Sequence, residues 1–152
     1  MRQTAILITA LIGLAACSSS DKRGEAEQIY NTANTLFEQG QYEAARQQID
    51  SLRKVYPNAI DTRKKALALY QNIELHQAQA QLAEADSLLQ QVQHNLDYQQ
   101  AKVDKDKAAL RATPEELTLL TRTRMKRDSL RTQCETLGAK IRYIRKKQKE
   151  AK

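Results

Sequence analysis

The amino-acid sequence predicts an all-α chain, on three observations. Its 152 residues include only four Gly and two Pro; Gln, Ala, Leu and Lys are abundant while β-branched runs are few; and apolar residues recur at steps of three and four. Sandwiches, barrels and parallel sheets need turn residues and strand-like alternation that this chain lacks. Two Cys are too few for a disulfide scaffold, and 41% hydrophobic residues at regular spacing argue against a disordered polyelectrolyte. The length is that of one domain.

Taken from the N-terminus, Met1 and Arg2 precede an uncharged stretch, Ala5 to Ala16, too short to cross a ~30 Å hydrocarbon core as a helix. It reads as a secretory signal peptide, residues 1–16. The stretch closes in Leu14-Ala15-Ala16-Cys17, which resembles the lipobox of bacterial lipoproteins at all four positions. The resemblance implies diacylglycerol on the Cys17 thiol, cleavage before Cys17, and an acyl chain such as palmitate on the new amine. No other cofactor and no metal is expected. Several chains anchor stably because each buried CH2 contributes ~0.8 kcal/mol. The mature chain is then tethered to the membrane and does not span it, with residues 17–24 as a polar linker. Ser18 in place of Asp resembles the outer-membrane sorting choice, and the periplasmic face is the expected one. The alternative is an ordinary secreted protein with an incidental Cys.

Helix A is expected over residues 25–39, with Ile29/Tyr30, Ala33 and Leu36/Phe37 on one face and Gly40 suited to the left-handed turn after it. Helix B follows with Tyr42, Ala45, Ile49, Leu52 and Val55/Tyr56, and stops at Pro57. Two such helices must fold back on each other to bury both faces. The string Tyr30, Ala33, Leu36, Gly40, Tyr42, Ala45, Ile49, Leu52, Tyr56-Pro57 resembles a tetratricopeptide repeat of the kind found in outer-membrane assembly lipoproteins. That resemblance implies a protein-interaction fold, with Tyr30, Phe37, Tyr42 and Tyr70 as candidate interaction residues. A second repeat is missing, since a shift of 34 residues puts Glu74, Gln79 and Gln91 where Gly40, Ala45 and Pro57 stand. Something else must cap the repeat.

The cap expected is the start of a long helix that opens near Asn58, with Leu67, Tyr70 and Ile73 lying on helices A and B; the base then covers residues 25–75. Further on, Leu82, Ala85, Leu89, Val92, Leu96, Gln99, Val103, Asp106 and Leu110 form a heptad seam. Thr113-Pro114-Glu115-Glu116 is a helix-start signature. The helix it opens carries its own seam in Leu120, Thr123, Arg127, Leu130, Cys134, Leu137, Ile141, Ile144 and Gln148. A turn near 111–114 makes residues 76–150 an antiparallel two-helix coiled coil. Counting back from it places Leu137 near Leu89, Leu130 near Leu96 and Ile144 near Leu82, with Arg127 beside Gln99 in a weakly packed section. The rival is a homodimer that opens this hairpin and pairs in trans.

Charge is uneven. Residues 122–152 hold twelve Lys/Arg and three acids, within a chain of net charge +7. Arg142, Arg145, Lys146, Lys147 and Lys149 crowd the last helix end, where cations suit the helix dipole. They are the candidate anion-binding residues, for anionic lipid or cell wall. Nucleic acid is not an expected partner of an exported chain. His76 and His94 stand too far apart on one helix to share a metal, Cys134 falls on the seam, and no phosphate loop, dinucleotide fingerprint or nucleophile elbow occurs. No enzyme is expected. The sequence points to a lipid-anchored scaffold or adaptor in an envelope complex, or else to an electrostatic tether.

Overall fold

The computed structural model describes residues 17–151. The expected signal peptide, 1–16, lies outside them, as do Lys152 and the side chains of residues 17–21, Cys17 among them. Four helices make up the regular structure: α1 (Cys17–Glu38), α2 (Tyr42–Val55), α3 (Ile60–Ala108) and α4 (Pro114–Glu150), with no strand among the described residues. The chain is therefore all-α. It divides after Tyr70 into two compact units, and α3 contributes residues to both.

In the first unit α1 already covers residues 17–24, expected as a polar linker, and runs through Gly24. A single helical Gly costs only about 1 kcal/mol, so Gly24 does not interrupt the helix. The helix ends as foreseen. Gly40 has φ 74°, its N–H donates to Phe37 O (2.9 Å), and Gln41 N–H donates to Leu36 O (2.9 Å), the paired bonds of a left-handed C-cap. α1 and α2 pack against each other. Ala26, Ala33, Ala45 and Ala66 have no exposed surface, so close approach of the helices is built on alanine, with Ile49, Leu52 and Leu69 filling the remainder. Val55 is exposed; Tyr56 is the member of that pair held in, its hydroxyl donating to Glu25 Oε2 at 2.7 Å.

The start of α3 differs from expectation in two respects. Arg63 N–H donates to Ala59 O (2.9 Å), which puts Ala59 at the cap position and leaves Asn58 outside it. The buried stripe of the first turns is Thr62, Ala66 and Leu69, whereas Leu67 is 50% exposed and does not lie in the core. Residues 62, 66 and 69 are spaced four and three, and at ~100° per residue Leu67 points well away from them.

In the second unit the first residues that α3 contributes and the last turns of α4 are tied by Gln148 Nε2 donating to Asn72 Oδ1 (2.8 Å) and by Lys140 Nζ to Glu74 Oε2 (2.6 Å). Arg127 Nη1 makes a long bond to Gln93 Oε1 (3.4 Å), Arg124 bonds Gln100, and Lys102 bonds Glu116. The partners run in opposite order along the two helices. Two apolar clusters lie between these ties. One joins Ala78, Ala85, Leu137 and Ile141, with Leu75, Leu82 and the half-buried Cys134 against it; the other joins Leu96, Val103 and Leu120.

The observed register differs from the expected one by about one heptad, because Leu137 shares its cluster with Leu82 and not with Leu89. α3 stops at Ala108 and the connection spans 109–113, so the turn is centred earlier than the counting assumed. Leu110 leaves the seam altogether. It is 96% exposed with φ 59°. Its N–H donates to Lys107 O (3.0 Å), and Arg111 N–H to Asp106 O (2.7 Å), the same left-handed cap that Gly40 makes. α4 then opens on the foreseen capping box: Glu116 N–H donates to Thr113 Oγ1 (3.2 Å) and Thr113 N–H to Glu116 Oε2 (3.1 Å), with Pro114 at the first turn.

Candidate functional site

The four candidate aromatics do not form one patch. Phe37 and Tyr42 meet across the α1–α2 turn, ring centroids 5.8 Å apart at 44°. Tyr30 lies under Lys65, whose Nζ is 5.7 Å from the ring centroid, and Tyr70 lies under the Arg46 guanidinium at 5.7 Å. All four are half-buried. Next to Tyr30, Glu27 takes Lys65 Nζ on one oxygen (2.7 Å) and the Thr62 hydroxyl on the other (3.0 Å). The Lys65 hydrogen bond, with Thr62 aiding it, holds the Glu27 carboxyl below its ordinary range, and Lys65 is raised in return. These contacts fasten α1 to the first turns of α3.

Tyr70 belongs to a surface that the sequence reading did not single out. A groove between α2 and the start of α3, about 230 Å³ in volume, has Ile49 and Tyr70 together with Ile60 and Leu67 as its apolar lining. Arg53, Arg63 and Lys64 complete the lining, and no carboxylate joins them. Ile60 and Leu67 are 55% and 50% exposed. The available signal was the second apolar stripe on α3, Ile60 and Leu67 one heptad apart, on a different face from Thr62, Ala66 and Leu69.

The five C-terminal cations separate into two groups. Arg142, Arg145, Lys146 and Lys149, at steps of three, one and three, share one side of α4. Lys147 turns elsewhere: its Nζ sits 5.8 Å from the Tyr143 ring centroid and 2.7 Å from Glu150 Oε2, and this carboxylate raises its pKa. Glu150 also lies 3.9 Å from Lys146. Arg145 borders a shallow groove over Leu82 and Ile141 that also includes Asp86.

His76 and His94 are both exposed. Among the described residues no group of three His, Cys, Asp or Glu is placed to hold a metal ion, and no helix is long and apolar enough to cross a membrane. No family model, curated protein or solved structure significantly matches the chain.

Proposed function

We propose that the mature chain is a lipid-anchored bacterial lipoprotein of the outer membrane, facing the periplasm, that works as a non-catalytic scaffold or adaptor in an envelope complex. The observation that carries this reading is the sequence Leu14-Ala15-Ala16-Cys17 at the end of a short uncharged stretch. Acyl chains on Cys17 hold the chain at the bilayer, since each buried CH2 contributes ~0.8 kcal/mol and two or more chains make dissociation slow. The helices that follow supply surfaces. A tetratricopeptide-like base and a coiled-coil arm are the architecture this role calls for, with the half-exposed groove of α2 and α3 supporting it. The test is incorporation of labelled palmitate into the full-length chain, with membrane fractionation. Wild type is expected to carry label and stay with the outer membrane, and Cys17→Ala to lose both; an unlabelled, freely extractable wild type would refute the anchor. Crosslinking recovery from envelopes at low and high salt tests the adaptor role, which predicts one defined membrane-protein complex in both.

A second reading, an electrostatic tether to anionic lipid or cell wall, draws support from Arg142, Arg145, Lys146 and Lys149 sharing one exposed side of α4. It predicts vesicle or sacculus binding that weakens steeply with salt. Neutralising those four residues should abolish it.

A further inference from the structure

We infer that the groove between α2 and the start of α3 is the docking site for an acidic amphipathic helix of a partner protein. The inference rests on the adaptor reading and gives that adaptor a partner of defined chemistry.

The first argument is shape. Ile60, Lys64 and Leu67 follow one another at steps of four and three, so over about two turns α3 offers an outer stripe some 10 Å long. The side of α3 that packs in the unit is Thr62, Ala66 and Leu69. Ile60 and Leu67 therefore stand half-exposed on a different face, beside the floor formed by Ile49 and Tyr70. A groove of about 230 Å³ is smaller than the ~300–1,000 Å³ typical of small-molecule sites. It accommodates a few side chains. A helix laid along it presents apolar anchors at the matching three-and-four spacing.

The second argument is charge. Arg53, Arg63 and Lys64 line the groove and no carboxylate does. The Arg63 guanidinium is positioned by donation from Nη1 to Pro57 O at 2.7 Å. Arg53 and Lys64 take part in no ion pair among the described residues. An apolar floor under three cations selects a helix whose anchors are flanked by Asp or Glu, and it disfavours a basic helix by repulsion.

The test uses the mature chain and a stapled amphipathic helical peptide with Leu at the anchor positions, made in three versions with Glu, Gln or Lys flanking them. Fluorescence anisotropy is expected to rank the Glu version about tenfold tighter than the Gln version, with the Lys version weakest and the preference shrinking as salt rises. The double substitution Arg53→Glu, Lys64→Glu lies on exposed positions and should invert the ranking; Leu67→Ser should weaken all three versions. Equal affinities, no binding of any version, or a ranking indifferent to charge reversal would overturn the proposal. A photo-crosslinking residue at position 67 of the full chain in its envelope identifies the occupant. A crosslink to an acidic helical segment of another protein supports the inference, and one to lipid or a second copy of this chain overturns it. Because peptide binding is read on the isolated chain, failure here leaves the anchored-adaptor reading to its own fractionation and recovery tests, and failure of anchoring leaves the peptide ranking intact.

Discussion

Leu110 holds a conformation that glycine adopts without cost. At φ 59° its Cβ crowds the following carbonyl, a penalty of roughly 1–2 kcal/mol for an L-residue, and a side chain 96% exposed recovers nothing by packing. Gly40 ends α1 with the same pair of backbone bonds and no such penalty. Leu110→Gly is therefore expected to stabilise the chain by about 1 kcal/mol, less the small entropy cost of glycine in the unfolded state, as measured by urea denaturation. An unchanged or lower midpoint would show that the turn relaxes around leucine. Three residues on, the capping box sets the opposite sensitivity. Thr113→Ala removes the acceptor for Glu116 N–H and should cost about 1 kcal/mol, read as a lowered urea midpoint.

Along α4, periodicity settled which face turns inward. All nine seam positions expected on α4, Leu120 through Gln148, are buried or half-buried, because steps of three and four admit only one inward face. Register was not legible for the same reason, since sliding one helix by seven residues returns every residue to its face. What decides it is where α3 stops. Leu is a good helix former, so nothing in Ala109-Leu110 announces the end; the stop comes from the Thr113-Pro114 start signal and the five residues needed to reach it. The groove was hidden differently. Leu67 reads as core by type, and only the placement of its neighbours leaves it, with Ile60, half-exposed. The candidate cations and aromatics stand out in the sequence by residue type alone, which does not show how they divide among faces. Packing within the seam yields two expectations. Ile141 lies in the Ala78–Leu137 cluster, and Ile141→Ala should cost about 2 kcal/mol, the low end for a buried truncation because a two-helix seam is covered incompletely. Gln99 places Oε1 out of contact with solvent and with no hydrogen-bond partner among the described residues, so Gln99→Leu should raise stability by about 1 kcal/mol in the same denaturation assay.

For the molecule as a whole, two carboxylate–ammonium contacts, one in each unit, shape the acid side of the pH response. The hydrogen bond from Lys65 lowers Glu27, and the hydrogen bond from Lys102 lowers Glu116, with the Thr113 N–H adding to the second. A carboxyl whose folded pKa is depressed contributes stability that is present above its unfolded value, near 4.5 here, and lost as pH falls through the folded pKa. Lys65 and Lys102 are raised above 10.5 by the same contacts, so their contribution holds below that value and disappears as pH climbs through the raised one. The result is a stability plateau between these limits, falling away on the acid side below about 4.5. Both contacts are partly solvent-exposed, so salt should flatten the acid limb. Thermal melts from pH 3 to pH 7 check this: Glu27→Gln and Glu116→Gln should each lower the plateau and make the fall below it shallower, because Gln keeps the shape of the contact without a proton to titrate. A fall of undiminished steepness in the doubly substituted chain would place the acid sensitivity in carboxylates other than these two.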